Sequence, residues 1–187
     1  MGQAETGEQT AWTMFWEQNP RGGASGCLPQ GSQFIEDAQR KVWQEFARGI
    51  PQGGAVLDLA TGDGRVLAWI GAARSDLVLT GVDLAPTLPL PPPNVTLEGS
   101  VAMEALPFPD LSKDAVTSQF GFEYGDTARA AAEIARVLKP GGTIGLMMHR
   151  GDGPIVAHNR TRREQLEWAL EDKAIVSRTR EAIAGSS

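Results

Sequence analysis

The chain has 187 residues, 41% of them apolar, with a formal net charge of −6. That length builds one well-buried core and is short for two domains. The acidic balance repels a polyanion, so no nucleic-acid partner is expected. The one basic cluster, Arg160, Arg162 and Arg163, reads as a solvated helix face. No apolar run approaches the roughly 20 residues of a membrane span, so no membrane partner is expected. Lone Cys27 has no partner for a disulfide or a metal site, which fits a reducing, cytoplasmic setting.

In chain order, Met1 to Thr6 formally fits a permissive myristoylation pattern, but Glu5 and Glu8 oppose anionic lipid, and the segment reads as a disordered start. Trp12, Phe15 and Trp16 recur at helical spacing and predict a short helix over 11–18 with an aromatic face. Gly22 to Gly31 is loop by composition. Ser32 then caps a second helix, whose apolar stripe is Phe34, Ile35, Ala38, Val42, Trp43 and Phe46. From residue 55 the pattern becomes short apolar strands alternating with helices, which predicts a doubly wound, mostly parallel α/β sheet. Strands are expected near 55–60, 77–83, 94–98, 114–119 and 142–148, and helices near 64–73, 126–138 and 160–172. Between the second and third strands stand Pro86, Pro89, Pro91, Pro92 and Pro93, which exclude a normal helix and predict an extended crossover.

The run Val56-Leu57-Asp58-Leu59-Ala60-Thr61-Gly62-Asp63-Gly64-Arg65 carries the chemistry. A buried strand enters an acidic glycine turn and then a helix, and the glycines let a ligand approach the main chain near free helix N–H groups. Asp83 closes the next strand in Thr80-Gly81-Val82-Asp83-Leu84, nineteen residues beyond Gly64. A carboxylate there can accept hydrogen bonds from two ribose hydroxyls. A nicotinamide fingerprint would read G-x-G-x-x-G, or end in Ala. Leu67 stands in that last place, and the acidic Asp58 suits a ligand with a positive centre better than a pyrophosphate.

Four blocks in order resemble the class I S-adenosylmethionine-dependent methyltransferases, particularly their small-molecule branch: Val56 to Gly64, Gly81 to Leu84, Met103 to Phe108, and Ala135 to Thr143. The resemblance covers about Ala55 to His149 and implies a Rossmann-like sheet with helices on both faces and S-adenosylmethionine as the cofactor. It implies that Asp58, Ala60 and Gly62 line the methionine moiety, that Asp83 holds the ribose and that Leu84 packs on the adenine. Ala102 stands where the family usually carries an adenine-binding Asp, so that contact falls to the Met103 backbone N–H or to Glu104. The implied organisation is an N-terminal helical extension or lid over 1–50 and a methyl-donor-binding domain over 51–187.

Methyl transfer from a sulfonium is a direct displacement that needs alignment and exclusion of water. Gln119 to Gly125, just past the fourth strand, is expected beside the methyl group, with Gln119 toward the cofactor and Glu123 and Tyr124 toward a small-molecule acceptor. His149, ending the fifth strand, is the candidate general base by residue type, because its ordinary pKa lies near 6.5. Trp12, Phe15 and Trp16 either form an aromatic lid hinged at 22–26 or pack the first helix on the sheet. Only 38 residues follow His149. They allow one helix and, at Ala174-Ile175-Val176, one short strand at most, so either the C-terminal part of the sheet is abbreviated, a partner chain supplies its edge, or the sequence is a piece of a longer protein; a homodimer or heteromer is expected. Two other functions compete: a cofactor-binding subunit or catalytically silent module of a heteromer, and, disfavoured by Leu67, an NAD-dependent oxidoreductase.

Overall fold

The computed structural model describes residues 7, 10, 12–14, 33–172 and 174–184, and the chain divides into two compact units, Met1–Met148 and His149–Ser187. The first unit holds five strands, β1 (Ala55–Leu59), β2 (Val78–Val82), β3 (Val95–Glu98), β4 (Lys113–Gln119) and β5 (Leu138–Met147), and three helices, α1 (Gln33–Arg48), α2 (Arg65–Ala73) and α3 (Thr127–Val137). Every strand pairing is parallel, in the order β3-β2-β1-β4-β5. This is the doubly wound α/β sheet expected from the strand–helix alternation.

Alternation along the central strands sorts the core into two layers. Val56 and Ala115 face α1 and α2, joining Trp43, Ala47, Val66, Leu67 and Ile70. Leu57, Leu59 and Val116 face α3, joining Ala130, Ile134 and Val137. Helices therefore cover both faces and bury most of β1 and β4, including the polar Asp58, Thr117 and Ser118. The stripe of α1 is rotated from its expected position. Phe34 and Val42 are 72% and 53% exposed and Ala38 is exposed, while Gln39, Trp43 and Ala47 are buried. Docking Trp43 onto the sheet selects the helix face three and four residues away from it, which favours the small Ala47 over the larger Val42.

No helix joins β2 to β3. Instead Pro86, Pro89 and Pro92 are partly buried while Thr87, Leu90 and Pro93 are exposed. That period of three lays one face of the segment on the domain. Its inner face sits close to the glycine turn: a Cβ added to Gly64 would lie 3.0 Å from Pro92 Cδ.

β5 begins at Leu138 rather than 142. Its pairing jumps from Lys113↔Leu138 to Ala115↔Thr143, and Gly141 at φ 78° absorbs the extra residues in a bulge. The second unit contains α4 (Pro154–Glu167), a π turn at Trp168–Asp172 and α5 (Ile175–Ala184). α4 starts earlier than expected, because Pro154 occupies the first turn, where its missing N–H costs nothing. The short strand expected at Ala174-Ile175-Val176 is instead the start of α5, which Ser177 and Thr179 reinforce by bonding back to the carbonyls of Ala174 and Ile175. Among the described residues no helix is long and apolar enough to cross a membrane. Residues 7, 10 and 12–14 are helical; Phe15, Trp16, Ser32, Cys27 and the 22–26 hinge lie outside the described residues.

Candidate functional site

The sheet order reverses direction between β1 and β4, so a crevice opens beyond their carboxyl ends, the usual ligand position in such sheets. On one side the chain leaves β1 through Ala60, Gly62 and Gly64 at φ 51°, 56° and 72°. On the other, Phe120 leaves β4 at φ 56°. Two non-glycine residues in the left-handed region flank one crevice, and such conformations cluster at ligand sites. The walls also touch: Ser118 Oγ donates to the Leu59 carbonyl at 2.9 Å, and a Cβ on Gly121 would lie 2.3 Å from Ala60 Cβ.

The glycine turn is tied to the neighbouring strand by a carboxylate. Gly62 N–H donates to Asp83 Oδ2 at 2.9 Å, and Ala85 N–H donates to Oδ1 at 3.0 Å. Each oxygen keeps a lone pair for a further donor. The turn continues the β1–β2 ladder through Thr61 N–H to the Val82 carbonyl. Not every helix N–H stays free for a ligand, since Arg65 N–H donates to Asp63 Oδ1 at 3.2 Å.

Asp58 points from β1 into the layer below Ala60 and is 1% exposed. Thr117 Oγ1 donates to its Oδ1 at 2.7 Å. Burial pushes its carboxyl up to about 7, the Thr117 bond offsets part of that, and the nearby negative Asp83 and Asp63 add to it. Burial also raises Asp83, against the backbone N–H bonds it accepts from Ala85, Gly62 and Leu84. Neither carboxylate forms an ion pair with a described residue.

Beyond β3, Ser100 N–H donates to the Ala85 carbonyl and Val101 N–H to the Asp83 carbonyl, which brings Ala102 and Met103 alongside Leu84. Asp126 N–H, at the start of α3, donates to Glu104 Oε1 at 2.8 Å. Gln119, at the end of β4, accepts from Trp43 Nε1–H of α1 at 2.6 Å. Past β4, Phe122–Tyr124 forms a 3-10 turn with Phe122 buried and Tyr124 57% exposed. Trp12 packs edge-to-face on Tyr124, with ring centroids 5.5 Å apart. Glu123 is half-buried on the same turn. His149 opens the second unit.

The crevice thus brings together Asp58, Ala60, Gly62, Asp83, Leu84, Met103, Gln119, Glu123 and Tyr124. Sequence reasoning missed Thr117, Ser118 and Trp43. Their signal was weak because it depends on strand register and on which face of α1 meets the sheet. Two buried carboxylates without a cationic partner suit a ligand that brings its own positive charge, as a sulfonium and an ammonium do, and they oppose a pyrophosphate. S-adenosylmethionine fits the residues present on that ground.

Comparison with known proteins agrees. Residues 57–146 match the family described as Methyltransferase domain. An uncharacterized methyltransferase of Mycobacterium tuberculosis is 34% identical over 133 residues, covering 66% of this chain and 46% of that protein. A demethylmenaquinone methyltransferase of Thermus thermophilus is 36% identical over 97 residues, covering 48% and 44%. A solved complex of the Haloferax volcanii Trm112 methyltransferase activator with a methyltransferase aligns at TM-score 0.54 and 25% identity, covering 75% of this chain and 60% of that one. A Methanococcus maripaludis structure described as an S-adenosyl-L-methionine-dependent methyltransferase aligns over 100% of this chain and 88% of its own at TM-score 0.55, and at 13% identity it shows the fold. The chain spans about half the length of the curated relatives it matches, 46% for the Mycobacterium tuberculosis protein. This sheet order, the carboxylate-tethered glycine turn and these matches support a class I S-adenosylmethionine-dependent methyltransferase.

Proposed function

We propose that the protein transfers a methyl group from S-adenosylmethionine to a small-molecule acceptor. The observation that carries this reading is the bond from Gly62 N–H to Asp83 Oδ2, which locks the β1 turn and the β2 carboxylate into one adenosyl-binding unit. Asp83 holds the ribose, Leu84 packs on the adenine, and the Met103 backbone takes the place of the missing Asp at Ala102. Asp58, Ala60, Gly62 and Gln119 surround the methionine end. Bound there, S-adenosylmethionine supplies a methyl carbon on a positively charged sulfur. The acceptor–carbon bond forms as the carbon–sulfur bond breaks, and the electron pair leaves with a neutral thioether. The protein's task is to align the two reactants and exclude water, which can supply on the order of 7–11 kcal/mol.

Tyr124, with Trp12 against its ring, and Glu123 form the acceptor wall. The Thermus thermophilus relative named for demethylmenaquinone supports an organic acceptor. His149 is proposed as the base that takes the acceptor proton. His149→Ala is then expected to lower turnover far more than donor affinity, and full activity in the variant removes it from the mechanism. Titration calorimetry with S-adenosylmethionine, S-adenosylhomocysteine and NAD tests the central reading. The two adenosyl-sulfur compounds are expected to bind, and a preference for NAD overturns it.

A second reading has its own observation. β5 pairs only with β4 among the described residues, and Ile144 and Leu146 on its α3-side face are 50% and 38% exposed. An open, apolar edge invites a strand from another chain. A partner completing the sheet, as a second copy or as an activating subunit, makes the protein the cofactor-binding part of a larger enzyme. Sedimentation analysis distinguishes these: a monomer that turns over acceptor on its own rules out the second reading.

A further inference from the structure

We propose that Trp43 is a positioning residue that fixes the Gln119 side-chain amide so that its NH2 group binds the α-carboxylate of the methyl donor. The inference rests on the reading that S-adenosylmethionine occupies the crevice between β1 and β4. Trp43 lies in α1, is 2% exposed, and its Nε1–H donates to Gln119 Oε1 at 2.6 Å. An indole N–H can only donate, so it dictates which end of the amide faces α1. The oxygen turns toward Trp43, and the two N–H donors turn away from it.

What they turn toward follows from the sheet. Asp58 pairs with Thr117, and two residues beyond each the chain reaches Ala60 and Gln119 at the carboxyl ends of β1 and β4, where Gly121 packs against Ala60. Gln119 shares the sheet face of Asp58 and Thr117, the face covered by α1 and α2. The amide donors thus sit on the crevice wall next to the left-handed Ala60. Asp58 and Asp83 already supply negative charge for the sulfonium and the ammonium. The donor's carboxylate is an anion among those acids and requires hydrogen-bond donors. A rotatable Gln could offer it either a donor or a repelling oxygen, and Trp43 removes the second choice. The lone tryptophan hydrogen bond thus turns an amide of ambiguous polarity into a donor-only group.

Two ligands separate this role from general packing: S-adenosylhomocysteine, which carries the amino-acid tail, and 5′-methylthioadenosine, which keeps the adenosyl thioether and lacks the tail. Trp43→Phe keeps an apolar ring against Gly145 and removes the donor. It is expected to weaken S-adenosylhomocysteine about tenfold, the loss of one hydrogen bond to a charged group, and to leave methylthioadenosine unchanged. Gln119→Glu keeps an oxygen for Trp43 but faces the carboxylate with a second anion. It is expected to weaken S-adenosylhomocysteine more than tenfold, again with methylthioadenosine unchanged. Equal losses for both ligands in Trp43→Phe, or undiminished S-adenosylhomocysteine binding in Gln119→Glu, overturn the proposal. A raised acceptor KM with unchanged donor affinity moves the amide to the acceptor and overturns it as well. Should the parent protein bind neither ligand, the donor reading itself falls, which is a distinct result from a lost difference between the two.

Discussion

Asp83 carries two separable duties, because its oxygens anchor Gly62 and Ala85 while their remaining lone pairs face the crevice. Hydrogen bonds to a charged group are worth about 1.5–3 kcal/mol each, so Asp83→Ala is expected to weaken donor binding at least tenfold by calorimetry. Unchanged affinity refutes the ribose role. Asp58 makes a prediction about pH. Its carboxyl is raised from 3.8 to about 7 in the folded chain, chiefly by burial. Between those values the folded state binds more protons than the unfolded state, so Asp58 lowers stability as pH rises and the penalty is complete above about 7. Asp58→Asn should therefore raise the melting temperature of the free protein more at pH 8 than at pH 5. Cationic donor favours the ionised carboxylate, so the parent's affinity for S-adenosylmethionine should climb through neutral pH and the variant's should not. Melting curves and titrations at both pH values check the pair. Both acids were legible in the sequence. The burial that perturbs Asp58 was not, since it depends on Thr117 arriving from a strand 59 residues away.

Among the elements, α3 shows how a local signal can serve the site. Asp126 caps the helix, accepting from Ala128 and Arg129 N–H at 3.1 Å, and its own N–H goes to Glu104. Asp126→Ala is expected to cost about 1 kcal/mol, read as a lower urea midpoint with an unchanged slope. The Glu104 bond joins the adenine-side segment to the turn beyond β4, a link that sequence spacing does not reveal. Periodicity located the five strands, because each carries a short apolar stretch and most are bounded by turn residues. It failed where one local rule met a competing one. α4 opens at Pro154, ahead of the helix expected near 160–172, and the apolar Ala174-Ile175-Val176 reads as a strand, yet Ile175 starts α5. The stripe of α1 was misjudged because Phe34 and Val42 share the helical period, and only the sheet beneath selects Trp43 and Ala47.

Over the whole molecule, stability is distributed unevenly. β1 and β4 lie inside the five-stranded sheet with layers on both faces. α5 buries no side chain, and residues 157–167 of α4 are exposed. Hydrogen exchange read by mass spectrometry should find the amides of β1 and β4 slowest, with α4 and α5 exchanging far sooner. Equal protection in α5 and β1 contradicts this picture.

The amino-acid sequence by itself determined the fold class, the acidic glycine turn, the strand-end Asp83 and the helix-free proline crossover, since each follows from local periodicity and from the backbone limits of glycine and proline. Only the tertiary structure decided which faces meet. The Asp83–Gly62 tether, the Thr117 partner of Asp58, the Trp43–Gln119 bond and the bulge of β5 all join segments brought together by register and packing. Long-range contacts of that kind arise from the shape of the assembled core, which no short window of sequence contains.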